Sequence, residues 1–581
     1  MNILKELSED LLKVFNDAGY ETDNIELKIS DRKDLGDYQI NDCMKLAKSA
    51  HENPRVIAEK VKEVLDKDFK FTNVNIAGPG FINLSLSGEY LKEKLNEVID
   101  DASKLIDKEE PKKIVIDYGG ANVAKALHVG HLRTANIGEG LKRLATALGH
   151  EVIGDAHLGD YGRPLGLVEK EIKERYPDLP YFDPSYDGDF SEVELPITNK
   201  DLEEIYPIAS AKAKEDEEYL KEARDITNKM QHHERGYYEL WQKIIEISKA
   251  DIKKVYNEIN VNFELWNGES DAMEYFPKLT EIIESKNLLI DSEGAKVIDV
   301  TDENDKNEMP PLLYIKSNKT VSYETTDLAT LLQRKEEIDP DEVWYVVDFR
   351  QALHFKQIFR ATKKIGIFDK DVHLEHIGLG TMNGTDGKPY KTRDGGVMTL
   401  KGLIDEAYDA TIKRINKDKV TEEEAPKIAK TVAIAAIKYA DFVPYVETDY
   451  IFDINKFTDI EGKTGPYVLY SNIRMKSLLN NAKDLNMDKI SIIDKDTKDI
   501  SLLVLDLPNV LERSLKSRSL HEIADYLYNL SSLFNTFYAK NKILTEENEE
   551  LKTSWLALTK LLYNISTMLL DILSIEIPEK M

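Results

Sequence analysis

The 581-residue chain has one cysteine, Cys43. A lone thiol excludes an internal disulfide and any cysteine-rich zinc site, and it fits the reducing cytoplasm. Long apolar runs are missing too: no stretch of ~18 apolar residues is available for a membrane-spanning helix. The opening stretch, MNILKELSEDLLKVFNDAGY, carries scattered acids and no apolar core with a cleavage site. It reads as an amphipathic helix rather than a secretory signal. Positive charge is in deficit, with 78 Lys and Arg against 107 Asp and Glu, a net charge of −29. Taken alone, that balance argues against nucleic-acid binding, which needs cations at phosphates. Local basic patches can nevertheless coexist with an acidic average. No internal repeat and no long low-complexity tract interrupts the chain.

What is present is 41% apolar and 32% charged, an ordinary composition for a soluble protein long enough for about two to four domains. Residues 1–106 read as a small α+β unit, with an N-terminal helix, a helix near 54–66 and the strand-like VNIAGPGFINLSLSG around a Gly-Pro-Gly turn. The charged DKEEPKK then reads as a linker. Residues 107–405 change character. KIVIDY is a β-branched strand, GGAN a turn, HVGHLRTANIGEGLKRLATALGH a helix closed by Gly149, and EVIGDAH another strand. That is a β-α-β unit of the doubly wound, Rossmann type. Further strands are expected at 342–348 and 372–380, beyond a charged and mostly helical insertion at about 165–300. Residues 406–581 are expected to form an all-α bundle.

The chemistry gathers where the helix begins. His128, Gly130 and His131 follow a strand and a glycine turn, a place where free N–H groups and the helix dipole favour an anion. Gly130 leaves room for a close approach, and the histidines can donate to phosphate oxygens without a large permanent charge. Two histidines three residues apart also fit a metal site or plain packing at a helix start. Zinc needs a third ligand, and neither HExxH nor a cysteine pair lies nearby. His232 and His233, adjacent on a helix, point different ways and suit the surface or packing.

The extended string GGANVAKALHVGHLRTANIGEGLKRLATALGHEVIGDAHLGDYGRPLG resembles the HIGH-motif region of the arginyl-tRNA synthetases, class I aminoacyl-tRNA synthetases. Asn122, Ala124, Lys125, His128, Gly130, His131, Leu132 and Arg133 carry the match. LGDYQIN and AGPGFINL resemble the family's N-terminal additional domain. FELWNGES, YETTDLA and YVVDFRQALHFKQ resemble its catalytic core, and AIKYADF, TGPYVLYSNIR and the ending IEIPEKM its helical anticodon-binding domain. The resemblance implies an arginine–tRNA ligase: ATP and L-arginine give arginyl-adenylate and pyrophosphate, and arginine passes to the terminal adenosine of its tRNA. Magnesium is expected only as the ATP complex, with no structural metal. A cytoplasmic monomer without membrane contact is implied as well.

Residue by residue, the resemblance assigns His128, His131 and Lys125 to catalysis, and His128, Gly130, His131, Lys388, Lys391 and Arg393 to ATP. The last three belong to GTDGKPYKTRDGG, the counterpart of the KMSK loop. Aligned on KMSKR it reads Pro389, Tyr390, Lys391, Thr392, Arg393, so both usual lysines are missing and Lys125 is a candidate substitute. Its glycines suit a segment that closes over ATP. Asp117, Tyr323 and Asp327 are implied for the guanidinium, a planar fork of donors that wants carboxylate and hydroxyl acceptors. Tyr323 and Asp327 share a helix face, being four residues apart. The family more often has glutamate where this chain has Asp117. Asn122 and Gln351 are implied for the α-amino and carboxylate end. For tRNA, Phe81 and Asn83 are implied at the elbow, and Tyr470, Arg474, Tyr538 and Met581 at the anticodon. Two rivals remain: a class I synthetase for another amino acid, and a non-catalytic tRNA-binding relative that kept the fold.

Overall fold

A computed structural model of the chain describes residues 1–391, 398–416 and 418–581. The first helix, Ile3–Asp17, is capped by the Asn2 side chain and buries Ile3, Leu7, Leu11 and Phe15, one residue per turn. It packs with Pro54–Leu65 on an antiparallel sheet in the spatial order Leu27–Ile29, Tyr38–Ile40, Phe81–Leu86, Phe71–Ala77. Gly80 takes φ +139 at the hairpin, and a Cβ there would lie 2.8 Å from the Pro54 backbone. Only glycine fits that turn.

The central sheet is wholly parallel. Its order is His373–Leu379, Glu342–Asp348, Lys113–Asp117, Glu151–Asp155. Ile114, Val115, Ile116, Val343, Trp344 and Val346 are buried, as expected for a sheet covered by helices on its faces. Val129–Ala147 and Ala352–Ile365 are two of the covering helices. The charged insertion holds Arg163–Arg175, Asn199–Glu215, Glu217–Gln231 and Arg235–Glu258. It ends in a small antiparallel sheet of Leu289–Ser292, Ala295–Ile298 and Leu312–Ile315, which the helical reading of that stretch did not contain.

From Leu400–Ile412 to Glu549–Ile572 the chain is helical apart from Tyr450–Ile451, which pairs in parallel with Met382–Asn383. No helix of the described residues is long and apolar enough to cross a membrane. Cys43 is buried.

Candidate active site at the carboxyl ends of the parallel strands

His128 is the N-cap of the helix Val129–Ala147, in extended backbone geometry. Its Nδ1 accepts the Gly130 N–H at 3.0 Å, while Nδ1 of His131 accepts the His128 N–H at 3.0 Å. The rings lie 3.9 Å apart, tilted by 37°. Two Nδ1 atoms that accept must belong to Nε2–H tautomers, so each ring keeps one donor free. Burial lowers both histidines from the ordinary imidazole range, His131 to about 3, so His131 is neutral in ordinary buffers.

This geometry corrects one expectation. The N–H groups at the helix start are already used: Val129 donates to Met398 O, Gly130 to His128 Nδ1, and His131 to His128 O. The donors that remain to the pair are their Nε2–H groups. Gly130 is small for the ring of His128, since a Cβ would come within 2.8 Å of its Cε1.

A buried carboxylate cluster lies at the same edge of the sheet. Asp117 and Asp155 end adjacent strands, and Nη2 of Arg334 lies 2.6 Å from one and 2.8 Å from the other. All three are buried. Burial pushes the Asp117 carboxyl up, against the pull of Arg334. Asp117 therefore meets a guanidinium of its own chain through Oδ2. Among the described residues, Asp117, Asp155 and His157 form the one cluster with the spacing of metal ligands. Arg334 fills the cationic place in it, so the cluster does not fit a metal ion.

Asp327 sits one turn after Tyr323 on the helix Tyr323–Glu337. It accepts from Nε2 of His354 at 2.6 Å, and the His354 ring lies 4.9 Å from that of Tyr323, whose side chain is 57% exposed. Glu269 begins the short helix Glu269–Ala272 beside them. Burial, with Asp327 and Asp160 nearby, pushes its carboxyl up to about 8. Asp160 itself is held by the Ser270 N–H and hydroxyl at 2.9 and 2.6 Å. Asn122, bridged in parallel to Gly159, and Gln351, at the start of Ala352–Ile365, are exposed at the rim.

The cations are dispersed. Nζ of Lys125 lies 4.4 Å from the Tyr206 ring of the helical insertion, and its charge is still near enough to add to the lowering of His128 and His131. Lys388 and Lys391 are exposed on a hairpin, and Arg393 lies outside the described residues. In the helical bundle, Tyr470, Arg474, Tyr538 and Met581 come together around a cavity of about 650 Å³ that Lys419 also lines. The Arg474 guanidinium lies 4.6 Å from the Tyr470 ring and 5.4 Å from that of Tyr538, and donates to Asn535 at 2.7 Å. In the N-terminal unit Phe81 is half-buried. Asn83 is 0% exposed, accepting from Gln39 and donating to the Asn75 carbonyl. It cannot touch an external ligand, which corrects its expected place in tRNA contact.

Arg334, Glu269, Asp155 and His354 were absent from the sequence-derived site. Arg334 was within reach, lying eleven residues after Tyr323 on the same helical face. Glu269 lay in FELWNGES without a role. Nothing local marks Asp155 or His354.

A histidine pair at a helix start, over the carboxyl ends of a parallel sheet with a helical bundle appended, is the arrangement of a class I aminoacyl-tRNA synthetase, and comparison with known proteins gives that class. A family profile described as tRNA synthetases class I (R), catalytic domain, matches residues 39–454, and one described as DALR anticodon binding domain matches 468–581. The chain is 43% identical over 591 residues to the arginine–tRNA ligase of Agathobacter rectalis, with 99% of each covered. It is 42% identical over 585 residues to that of Alkaliphilus oremlandii, with 100% of each covered. Arginyl-tRNA synthetase structures from Plasmodium falciparum (TM-score 0.79, 23% identity, 99% of each chain) and Thermus thermophilus (TM-score 0.76, 20% identity, 100% of each chain) share the fold. The chain belongs to the arginine–tRNA ligases, enzymes that join arginine to its tRNA at the expense of ATP.

Proposed function

We propose that this site activates L-arginine and passes it to tRNA as follows. Asp327 and Glu269, with the Tyr323 hydroxyl, take the guanidinium; Asn122 and Gln351 take the α-amino and carboxylate end. Asp117 acts one step removed, locking Arg334 as the back wall. The substrate carboxylate attacks the α-phosphate of ATP and pyrophosphate leaves. A hydroxyl of the terminal adenosine of tRNA then attacks the adenylate carbonyl, and AMP leaves. No covalent enzyme nucleophile is needed, so catalysis is positioning and stabilisation of charge on phosphate oxygens. The Nε2–H groups of His128 and His131 supply neutral donors there. Lys388, Lys391 and Arg393, with Lys125 if it leaves Tyr206, supply the cations for pyrophosphate. Magnesium enters with ATP as part of the substrate.

The observation that carries this reading is the acidic cluster, with Asp327 and Glu269 near one another on the side of Tyr323 and an internal guanidinium already accommodated at Asp117 and Asp155. A cationic, fork-shaped side chain complements it. For tRNA, Phe81 serves the elbow, and Tyr470, Arg474, Tyr538 and Met581 serve unstacked anticodon bases. The corresponding division is 1–106, 107–405 and 406–581. Action as a monomer in the cytoplasm completes the proposal, and the single buried cysteine suits a reducing compartment.

Amino-acid-dependent ATP–pyrophosphate exchange with each standard amino acid, with and without total tRNA, tests it. Exchange with arginine alone is expected. Exchange with another amino acid would overturn the pocket assignment, and none from folded, tRNA-binding protein would favour the non-catalytic relative.

A further inference from the structure

Arg133 follows the second histidine by two positions and points into the molecule, where it is 2% exposed. Its Nη1 donates to Gly380 O at 2.7 Å and Thr448 O at 3.3 Å, and its Nη2 to Val446 O at 3.3 Å. Nε lies 2.9 Å from Oδ1 of Asp441, and the guanidinium stands 5.1 Å from the Tyr450 ring. Asp441 is 0% exposed, and Asn136 and the Tyr450 hydroxyl donate to its two oxygens. One arginine thus joins the helix that carries the histidines, the end of the strand His373–Leu379, and the segment 441–450 that leads through the helical bundle.

The backbone it grips leads into the KMSK-type loop. Residues 380–383 lie on 446–452, with Gly380 N bonded to Val446 O, Tyr450 N to Thr381 O, and Phe452 N to Asn383 O. A Cβ on Gly380 would fall 2.4 Å from the Thr448 backbone, so the two chains touch there. Beyond that point Gly384 N bonds to Lys388 O and Tyr390 N to Met382 O, forming the hairpin that presents Lys388. At the far side of the loop, Met398 O accepts from Val129 N and Leu400 N donates to Leu127 O. Both described ends of the loop are therefore referred to residues 127–133. The far contact is backbone to backbone and tolerates most side chains; the near one depends on a single guanidinium.

We propose that Arg133 is a positioning residue for the ATP half of the reaction, with Asp441 and Tyr450 holding its guanidinium. It sets where the hairpin bearing Lys388 and Lys391 stands relative to His128 and His131. The proposal rests on the assignment of those four residues to ATP given above. A planar guanidinium reaches several fixed carbonyls at once, whereas a lysine, a point charge on a flexible stem, cannot span them. Arg133, Gly380, Val446 and Asp441 are buried, so water is poorly placed to replace those contacts, and removing one charge strands the other. Simple fastening of the bundle to the sheet would give a different signature. It would lower the folded fraction and leave the Michaelis constants alone.

The test uses full-length Arg133→Lys, Asp441→Asn and Tyr450→Phe, measured by arginine-dependent ATP–pyrophosphate exchange and thermal denaturation. Because misplacement by about 1 Å costs on the order of 100-fold, the first two are expected to worsen kcat/KM for ATP by ~10- to 100-fold, with KM for arginine within about twofold of the parent. Tyr450→Phe is expected to move in the same direction by less. Parental ATP constants in a folded Arg133→Lys or Asp441→Asn protein overturn the proposal, as does a parallel loss in both constants that tracks the folded fraction. If both of those fail to fold, Tyr450→Phe with parental ATP constants overturns it. If all three fail to fold, the role is structural and the proposal falls. Absence of exchange in the parent protein overturns the arginine assignment first, and with it the step that Arg133 would serve.

Discussion

Glu269 is a carboxyl that burial and its acidic neighbours Asp327 and Asp160 push to about 8, so at neutral pH it is mostly protonated before substrate arrives. An incoming guanidinium favours the ionised form, and binding then expels a proton. Arginine should bind more tightly as pH rises towards 8, gaining up to ~10-fold per pH unit, and level off above it. Glu269→Gln should bind weakly and with a flat profile between pH 6 and 9, checked by KM for arginine in pyrophosphate exchange. Asp327→Asn removes a hydrogen bond to a charged group worth about 1.5–3 kcal/mol, a rise of ~10- to 150-fold in KM for arginine with KM for ATP unchanged. Lys438 presents the opposite sign. It is 0% exposed, its Nζ donates to Ile259 O and Ser574 Oγ at 2.6 and 2.8 Å, and burial lowers it to about 7 despite Glu139, Glu576 and Asp441 nearby, with Arg143 adding to the fall. Unfolding returns it to the ordinary lysine range near 10.5, so the unfolded chain binds more protons between those values. Its contribution to stability is full above about 10.5 and is lost as pH falls towards 7. Denaturant titrations at pH 7 and 9 should show a steeper rise in stability for the parent than for Lys438→Met.

At the start of the helix Val129–Ala147 the proposed chemistry is separable from capping, because His128 caps with Nδ1 and its Nε2–H is the donor assigned to phosphate above. His128→Asn keeps a capping acceptor and loses the far donor; His128→Ala loses both. The asparagine variant should hold its melting temperature near the parent's while exchange falls by ~100-fold or more, the scale of removing one preorganised donor. The alanine variant should lose a further ~0.5–2 kcal/mol of stability in denaturant melts. This helix and its flanking strands were legible because β-branched runs and helical spacing are local signals, and Ile114, Val115, Ile116, Leu141 and Leu144 carry them. The hairpin Leu289–Ser292 to Ala295–Ile298 was not, since it turns on Glu293-Gly294 with φ of 51° and 80° rather than on Asn-Gly, amid charged residues. The fate of the helix's first N–H groups was hidden for another reason. Met398, the acceptor for Val129, is distant in sequence, and the His128 acceptors for Gly130 and His131 depend on a side-chain cap, whereas periodicity names a face without naming its partner. Tyr323 with Asp327 could be read from spacing within one helix, but the diversion of Asp117 to Arg334 needed two strands and a helix in register.

A chain of net charge −29 must bind a polyanion through few places, and the bundle cavity offers one candidate. Two kinds of contact meet there. Tyr470 and Tyr538 flank the Arg474 guanidinium and present π faces, the kind of surface on which a base stacks with little regard to salt. Lys419, exposed with its Nζ 5.9 Å from the Tyr470 ring, is a mobile charge suited to a phosphate. Release of counterions makes affinity fall with salt in proportion to the phosphates neutralised, by ~0.7 in the logarithmic slope for each on a single strand. Stacking adds affinity and no slope. Tyr470→Leu should therefore weaken tRNA binding by about 1–3 kcal/mol at every salt concentration and leave the slope as it was. Lys419→Met should cost less at high salt than at low and reduce the slope by about one. Filter binding of total tRNA across a salt series distinguishes them. If Tyr470→Leu changes the slope and Lys419→Met does not, the cavity grips backbone rather than bases, and anticodon reading must be sought elsewhere on the bundle.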